Sequence, residues 1–195
     1  MNEKGRSMVE MLGVLAIIGV LSAGGLAGYS KAMFKHRVNE TINIYAQILQ
    51  RVAELEQRGL GEGVEIGANG VVIDSIKYGI FPDCKETIDA FGQSACKLPI
   101  GSFFMYLSEF SGVIEGSLQV HFTDSKSCVA FSSVDWVNAV PVDWWHPYGD
   151  LAIGGKKIYF PAENINKTTM NDIVEACQSC DNDSCYFDLM PHSDY

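Results

Sequence analysis

The hydrophobic pattern begins with a long apolar run near the start of the chain. From Met8 to Gly28, 21 residues contain one charged side chain, that of Glu10. At 1.5 Å of rise per residue, a helix of this length can cross a hydrocarbon layer about 30 Å thick. The run therefore predicts a membrane-spanning helix over residues 8–28.

The same run has some features of a removable secretory signal. Lys4 and Arg6 precede it, and small residues stand at Ser22–Gly24. However, the run is longer than the usual apolar part of a signal, about 7–15 residues. It also contains the carboxylate of Glu10, and such a charge costs about 2.5–3.5 kcal/mol at the bilayer centre. An ionisable residue inside a span indicates a function, so we expect Glu10 to have a partner.

Beyond the run, the pattern becomes that of an amphipathic helix. Apolar residues recur at intervals of four and three, at Val38, Ile42, Tyr45, Leu49 and Val52. This spacing places them on one helix face, which we expect to pack against a folded body. Glycine commonly ends helices, and Gly59 follows Arg58 directly. The helix is therefore predicted to continue to residue 58.

Residues 59–195 carry the patterns of both strands and helices. Leu118, Val120 and Phe122 alternate with polar residues, which predicts a strand buried on one face. The other predicted elements are strands at Phe103–Leu107, Asp150–Ile153, Ile158–Phe160 and Tyr186–Met190, and helices at Thr123–Ser133 and Met170–Gln178. A capping box at Thr169–Asp172 precedes the last helix. Together these elements predict one α+β domain.

Charge separates the same two parts of the chain. Residues 1–58 hold seven basic and five acidic side chains, whereas residues 59–195 hold seven Lys, no Arg and nineteen acidic side chains. Contacts to phosphate need clustered positive charge. We therefore expect no nucleic-acid contact for residues 59–195.

All six cysteines belong to the acidic part of the chain: Cys84, Cys96, Cys128, Cys177, Cys180 and Cys185. Basic residues flank both ends of the apolar run, so the positive-inside rule does not fix its orientation. Six cysteines confined to one part are typical of a compartment that permits disulfides, which places that part outside the cytosol. They allow fifteen connectivities, and proximity favours only the Cys84–Cys96 pair.

Two clusters could carry further chemistry. Cys177 and Cys180 form a CxxC motif, as in a thiol oxidoreductase, but Cys177 lies near the C-terminal end of its predicted helix, where the thiol pKa is not lowered. Asp181–Asp183 with Asp188 offers oxygen ligands for Ca²⁺, but without the glycine of an EF-hand loop. We expect structural disulfides and a solvated acidic turn instead, with no metal and no other cofactor.

An aromatic segment is the remaining candidate for binding. Trp136, Trp144, Trp145 and Tyr148 could form a platform for a carbohydrate or a receptor, because exposed aromatic rings stack and anchor ligands. They could equally belong to the core or to a subunit contact. The chain has no Gly-rich phosphate loop, nucleophile elbow or paired-carboxylate site. We therefore expect no catalytic residues and no enzyme activity.

The residues before the apolar run, Gly5-Arg6-Ser7-Met8-Val9-Glu10, resemble the processing site of type IV prepilins and pseudopilins. In that family a membrane peptidase cuts after the glycine, and the fifth mature residue is glutamate; these positions match Gly5 and Glu10. Arg6 becomes the first mature residue, where the family usually has Phe or Met, and the resemblance implies methylation of its amine. It also implies that Glu10 pairs with the N-terminal amine of an adjacent subunit, and such pairing makes a buried charge tolerable.

The resemblance is closest to the type IVb pilins and implies their organisation. Residues 1–5 form the leader, residues 6–58 the N-terminal helix, and residues 59–195 a disulfide-stabilised head. The implied fold is a long membrane-spanning helix packed against an antiparallel β-sheet head, the type IV pilin fold. In type IVb pilins a cysteine of the last helix is joined to an earlier one, which implies a Cys128–Cys177 bridge and leaves Cys180 to pair with Cys185.

The resemblance also implies a function, that of a major or minor structural subunit of a type IV pilus that supports adhesion or cell contact. The subunit would wait in the bacterial inner membrane and then join an extracellular filament. Its implied partners are other pilin subunits, prepilin peptidase, the inner-membrane assembly machinery and the lipid bilayer. A type II secretion pseudopilin and a membrane-anchored, lectin-like adhesin remain alternatives.

Overall fold

The computed structural model describes residues 3–59, 65, 70–88, 94–110, 113–136, 150–153, 156–159, 169–178 and 185–190. The chain divides into two compact units, Met1–Asn39 and Glu40–Tyr195. One helix, α1 (Glu3–Glu56), runs through the first unit and into the second. It is followed by a turn in which Gly59 has a φ of 81°, a left-handed conformation that glycine adopts without strain.

The described part of the second unit forms one antiparallel sheet and two short helices. The strands are β1 (Val71–Ile73), β2 (Glu86–Ile88), β3 (Ser94–Leu98), β4 (Gly101–Phe110), β5 (Val113–Phe122), β6 (Asp150–Ile153), β7 (Lys156–Tyr159) and β8 (Tyr186–Met190), and the helices are α2 (Ser125–Ser132) and α3 (Met170–Gln178). The strand order is β2-β3-β4-β5-β8-β6-β7, and β1 pairs with β4 beyond the part of β4 that pairs with β3. The α+β class expected from the sequence, a long N-terminal apolar helix packed with an antiparallel sheet, is confirmed.

The hairpin of β4 and β5 forms the middle of the sheet. Its pairing extends over ten residues of each strand, from Gly101 opposite Phe122 to Phe110 opposite Val113. A Cβ atom at Gly101 would collide with the carbonyl oxygen of His121. The missing side chain therefore allows β4 to start directly beside the end of β5.

The predicted apolar face of α1 lies in the core. Tyr45, Leu49 and Val52 are buried, as is Val38, whereas Ile42 is half-buried. Two residues outside the predicted stripe, Thr41 and Ile48, are buried as well. The buried face is thus wider than the pattern of threes and fours indicates.

An aromatic cluster joins α1 to the sheet. The ring centroid of Tyr45 lies 5.1–6.1 Å from those of Phe103, Phe131, Trp136 and Phe187, in edge-to-face geometry. Such geometry is favourable for aromatic pairs beyond the area that they bury. The Tyr45 hydroxyl also donates a hydrogen bond of 3.0 Å to the carbonyl oxygen of Leu118 in β5.

Each short helix begins at a capped residue. At α3 the N–H and the hydroxyl of Thr169 both donate to the Asp172 carboxylate at 2.8 Å, and the Asp172 N–H donates back to Thr169 Oγ1 at 3.3 Å. This is the predicted capping box, with Asp in the usual place of Glu. At α2 the cap is Asp124, whose carboxylate accepts from the Ser127 N–H at 2.8 Å.

Candidate functional site

Among the described residues, most of the exposed large apolar side chains belong to the N-terminal part of α1. Eleven large apolar side chains between Met8 and Leu26 are exposed, each to between 52% and 74%. Every residue from Met8 to Leu26 is exposed, and the helix contains an apolar stretch of at least 18 residues. By length and composition, this helix can cross a membrane.

The exposed apolar surface surrounds the helix on all sides. Consecutive residues of an α-helix point about 100° apart, because one turn contains 3.6 residues. Leu12, Val14, Leu15 and Val20 therefore point in four different directions around the helix axis, and all four are exposed. Burial of one large apolar side chain is worth about 1.5–3 kcal/mol, so water is an unfavourable surrounding for this surface. A helix that is apolar all round is typical of a membrane span or of a helix enclosed by other chains.

Glycines interrupt this surface without breaking the helix. Gly13, Gly19, Gly24, Gly25 and Gly28 all lie within α1, and a Cβ atom at any of them would meet nothing within 4 Å. Small residues on a membrane helix allow another helix to approach closely. The glycines are therefore compatible with close helix packing.

The residues of the predicted processing site lie at the start of α1. Gly5 and Arg6 are in its first turn, and Glu10 follows one turn after Arg6 with an exposed side chain. From Met11 to Ser30, 20 consecutive residues carry no charge. Glu10 therefore marks one end of the uncharged part of the helix.

Of the alternatives for Trp136, a ligand surface, the core or a subunit contact, the structure places its side chain in the core. Trp136 is 1% exposed, and its indole N–H donates a hydrogen bond of 3.0 Å to the Phe131 carbonyl oxygen. A side chain enclosed in this way cannot stack on a ligand. The other members of the predicted surface, Trp144, Trp145 and Tyr148, lie outside the described residues.

The five cysteines in the described part of the chain all form disulfides. Cys84 is bonded to Cys96 and Cys128 to Cys177, with Cα–Cα distances of 5.3 and 5.8 Å. These are the same pairs that proximity and the family resemblance favour. Because Cys177 is bonded to Cys128, it is not the free thiol that the CxxC alternative requires. Cys185 is also in a disulfide, and Cys180 lies outside the described residues.

A polar cluster that the sequence pattern did not predict lies on the face of the sheet opposite to the one that packs against α1. Asp188 accepts hydrogen bonds from Ser117 Oγ at 2.6 Å and from Gln119 Nε2 at 2.9 Å, and His121 Nε2 lies 3.0 Å from Gln119 Oε1. Ser117, His121 and Asp188 are buried. The expectation that only one face of β5 is buried is therefore wrong.

The hydrogen bonds of Asp188 favour a structural role over the calcium alternative. Its two carboxylate oxygens accept hydrogen bonds from neighbouring side chains, as in a structural polar cluster. Asp181–Asp183, the other members of the acidic segment, lie outside the described residues. Within the described part of the chain, no group of three or more His, Cys, Asp or Glu side chains could hold a metal ion.

The carboxyl group of Asp124 has a lowered pKa. Its partial burial acts to raise the pKa, but hydrogen bonds from the N–H and the hydroxyl of Ser127 and from Thr123 act in the opposite direction and prevail. Such bonds favour the ionised form. The cap of α2 is therefore an ionised carboxylate at neutral pH.

Comparison with known proteins finds a partial similarity. Over 79 residues the chain is 30% identical to a fimbrial protein of Moraxella nonliquefaciens, and the alignment covers 40% of this chain and 51% of that protein. The chain thus spans about half the length of this relative. None of the known family models matches the chain. None of the solved structures matches it either.

This similarity and the exposed apolar helix point in the same direction. The relative is a fimbrial protein, and this chain has the long apolar helix and the antiparallel sheet of a pilin-like arrangement. Two disulfides among the described residues are consistent with a head outside the cytosol. The combination suggests a pilin-like protein.

Proposed function

We propose that this chain is a structural subunit of a type IV, IVb-like pilus. In this proposal prepilin peptidase cuts between Gly5 and Arg6, the new Arg6 amine is methylated, and the subunit polymerises through its apolar helix. The subunit resides in the bacterial inner membrane before assembly and in an extracellular pilus afterwards, where it supports adhesion or cell contact. The inner-membrane assembly machinery moves it between the two.

The observation that carries the proposal is the apolar surface on all sides of α1 between Met8 and Leu26. A soluble protein would bury one stripe of such a helix, but this helix leaves all its sides without partners in the described chain. Lipid chains can surround it in a membrane, and other copies of the same helix can surround it in a filament. The proposal accounts for both surroundings with one segment.

The position of Glu10 supports an assembly role. Its carboxylate lies at the end of the uncharged run, four residues after Arg6. After cleavage, the amine of Arg6 would be a positive charge close to this end of the helix. A carboxylate that enters an apolar filament is costly alone and is tolerated beside a positive charge. We therefore propose that the Glu10 carboxylate pairs with the N-terminal amine of an adjacent subunit.

The acidic, disulfide-bonded residues 59–195 form the water-exposed part of the proposed filament. Their nineteen acidic side chains against seven Lys suit contact with water rather than with lipid. Disulfides stabilise domains that are exposed outside the cell. This part of the subunit provides the outer surface of the pilus.

Mass spectrometry of the membrane-extracted protein tests the processing step. With prepilin peptidase present, we expect loss of residues 1–5 and a methyl group on the Arg6 amine. Gly5→Glu should keep the full-length mass, because the bulky charged side chain occupies the cleavage position, whereas the control Ser7→Ala should still be cut. An intact Met1 in the unaltered chain, or a start near Tyr29, would contradict the proposal.

The assembly role of Glu10 has its own test. In cells that carry the assembly machinery, Glu10→Gln should be processed and inserted but should give at least about tenfold fewer sheared filaments, the result of losing about 1.4 kcal/mol of pairing per subunit. Glu3→Gln is the matched control, since it makes the same change in the leader that is removed. Equal filament yields for the two variants would contradict the role of Glu10.

A further inference from the structure

Two lysines follow the uncharged part of α1. Lys31 is the first charged residue after the 20 uncharged residues, and Lys35 follows four residues later. Both side chains are exposed, and Tyr29 before them is 67% exposed. Residues four apart in a helix lie on the same side, so the two ammonium groups can approach one ligand.

The distance along the helix places these lysines at the surface of a bilayer. Twenty residues at 1.5 Å each extend over about 30 Å, the thickness of the hydrocarbon layer. Lys31 then lies at its boundary and Lys35 about 6 Å further out, within the headgroup layer. Tyrosine is enriched at this depth, and lysine side chains extend toward the polar side of the boundary.

We propose that Lys31 and Lys35 bind the phosphate of anionic phospholipids in the leaflet on the side of the head. The ligand class is a phospholipid headgroup with a net negative charge, such as that of phosphatidylglycerol. The inference rests on the proposed function, because it requires α1 to span the membrane before assembly. It adds a lipid partner and the two residues that select it.

Charge complementarity favours this ligand. Residues 38–195 hold nine basic and twenty-two acidic side chains, a net charge of −13, so an anionic bilayer repels this part of the chain on balance. Lys31 and Lys35 supply attraction at the depth where phosphates lie. An acidic surface of a second copy could also attract lysines, but the continuity with Tyr29 and the apolar run favours the lipid.

Electron spin resonance of the full chain in bilayers tests the proposal. The protein is reconstituted in phosphatidylcholine vesicles with a trace of spin-labelled phosphatidylglycerol or spin-labelled phosphatidylcholine, and the two affinities are compared. One lysine near an anionic surface contributes about fivefold in affinity. We therefore expect a preference of about fivefold or more for phosphatidylglycerol, which high salt weakens because exposed charges are screened.

The variants assign this preference to the two lysines. Lys31→Gln with Lys35→Gln should bring the preference close to one, whereas the control Lys85→Gln with Lys97→Gln removes the same charge from two exposed residues of the head and should leave it unchanged. Flotation of the vesicles reports insertion separately. A chain that inserts without a preference, or whose preference survives in the double variant, overturns the lipid site and leaves the pilus proposal intact.

Two other results also overturn the lipid site. Failure of the unaltered chain to float with the vesicles would contradict both the span and the site. Loss of self-association in the double variant, with no lipid preference in the unaltered chain, would assign the lysines to a second copy instead.

Discussion

The start of α2 depends on one side chain, that of Asp124. Its carboxylate accepts hydrogen bonds from the N–H and the hydroxyl of Ser127 at 2.8 and 3.0 Å. Asp124→Ala removes both, and we expect it to lower the free energy of unfolding by about 1 kcal/mol. Asp124→Asn is the control, because asparagine also caps helices well. Chemical denaturation of the full chain in mild detergent measures both variants, and an unchanged midpoint for the alanine variant would contradict the cap.

Because the pKa of Asp124 is lowered, the stabilisation that its carboxylate provides depends on pH. A carboxyl whose folded-state pKa is below its unfolded-state pKa stabilises the fold when the pH is above the unfolded value. The contribution is lost as the pH falls through the lowered folded value. The difference in stability between the unaltered chain and Asp124→Asn should therefore decrease as the solution is acidified, and a difference that grows on acidification would contradict this assignment.

The hydroxyl of Tyr45 can be tested apart from its ring. Tyr45→Phe keeps the aromatic contacts and removes the donor to the Leu118 carbonyl oxygen. We expect a loss of about 1–2 kcal/mol, since one buried hydrogen bond is removed and its acceptor is left without this partner. Tyr45→Ala should cost about 3–5 kcal/mol, because it also creates a cavity. Equal midpoints for the phenylalanine variant and the unaltered chain would show that the hydroxyl contributes nothing.

At the scale of the element, β5 could be predicted from its alternation and the four-residue β6 from its position, whereas the three-residue strands β1 and β2 could not be predicted. Alternation marked β5, and the structure extends it to Val113–Phe122. β1 and β2 have three residues each, and β2 consists of Glu86, Thr87 and Ile88. Three residues are too few to show a pattern. These segments are strands because β1 pairs with β4 and β2 pairs with β3.

The candidate site also has features that the sequence could predict and features that it could not. The apolar surface of α1 could be predicted because its composition alone excludes a water-exposed helix. The burial of Trp136 could not, because it depends on Tyr45 and Phe187, which are distant in the chain. The polar cluster around Asp188 was missed for the same reason, since Ser117 and His121 meet Asp188 and Tyr186 only when β5 pairs with β8.

The glycines of α1 allow a prediction about assembly. We expect the helix to stretch or melt around Ser22–Gly28 when subunits enter a filament, because each glycine weakens a helix by about 0.5–1 kcal/mol relative to alanine. Gly24→Ala with Gly25→Ala should reduce the yield of filaments without changing membrane insertion. The added methyl groups meet no atom within 4 Å in the isolated chain.

The matched control for this prediction is Gly13→Ala with Gly19→Ala, which also meets open space. It strengthens the helix by a similar amount outside the segment expected to melt, so its filament yield should stay closer to that of the unaltered chain. A filament structure with an unbroken helix through residues 22–28 would contradict the prediction.

At the scale of the whole molecule, the two described disulfides differ in the length of chain that they close. Cys128 and Cys177 are separated by 49 residues and join α2 to α3, whereas Cys84 and Cys96 are separated by 12. In the chain-entropy treatment, loss of the longer link costs about 4 kcal/mol and loss of the shorter about 3 kcal/mol.

Paired serine substitutions measure this difference. Cys128→Ser with Cys177→Ser should lower the denaturation midpoint of the full chain more than Cys84→Ser with Cys96→Ser. Each double variant serves as the control for the other, because both replace two cysteines. A larger effect from the shorter loop would mean that packing around the bonds, rather than chain entropy, determines their contribution.

The separation of α1 from the disulfides has a mechanical consequence. The first 83 residues contain no cysteine, so no disulfide can attach α1 to the rest of the chain. A tensile force along the helix is therefore resisted by noncovalent contacts, chiefly those of Tyr45, Ile48, Leu49 and Val52 in the core. These contacts lie along two turns of one helix and are loaded together in shear. The helix should slip from the sheet as a unit at a force set by packing, while the disulfide-linked elements keep their structure.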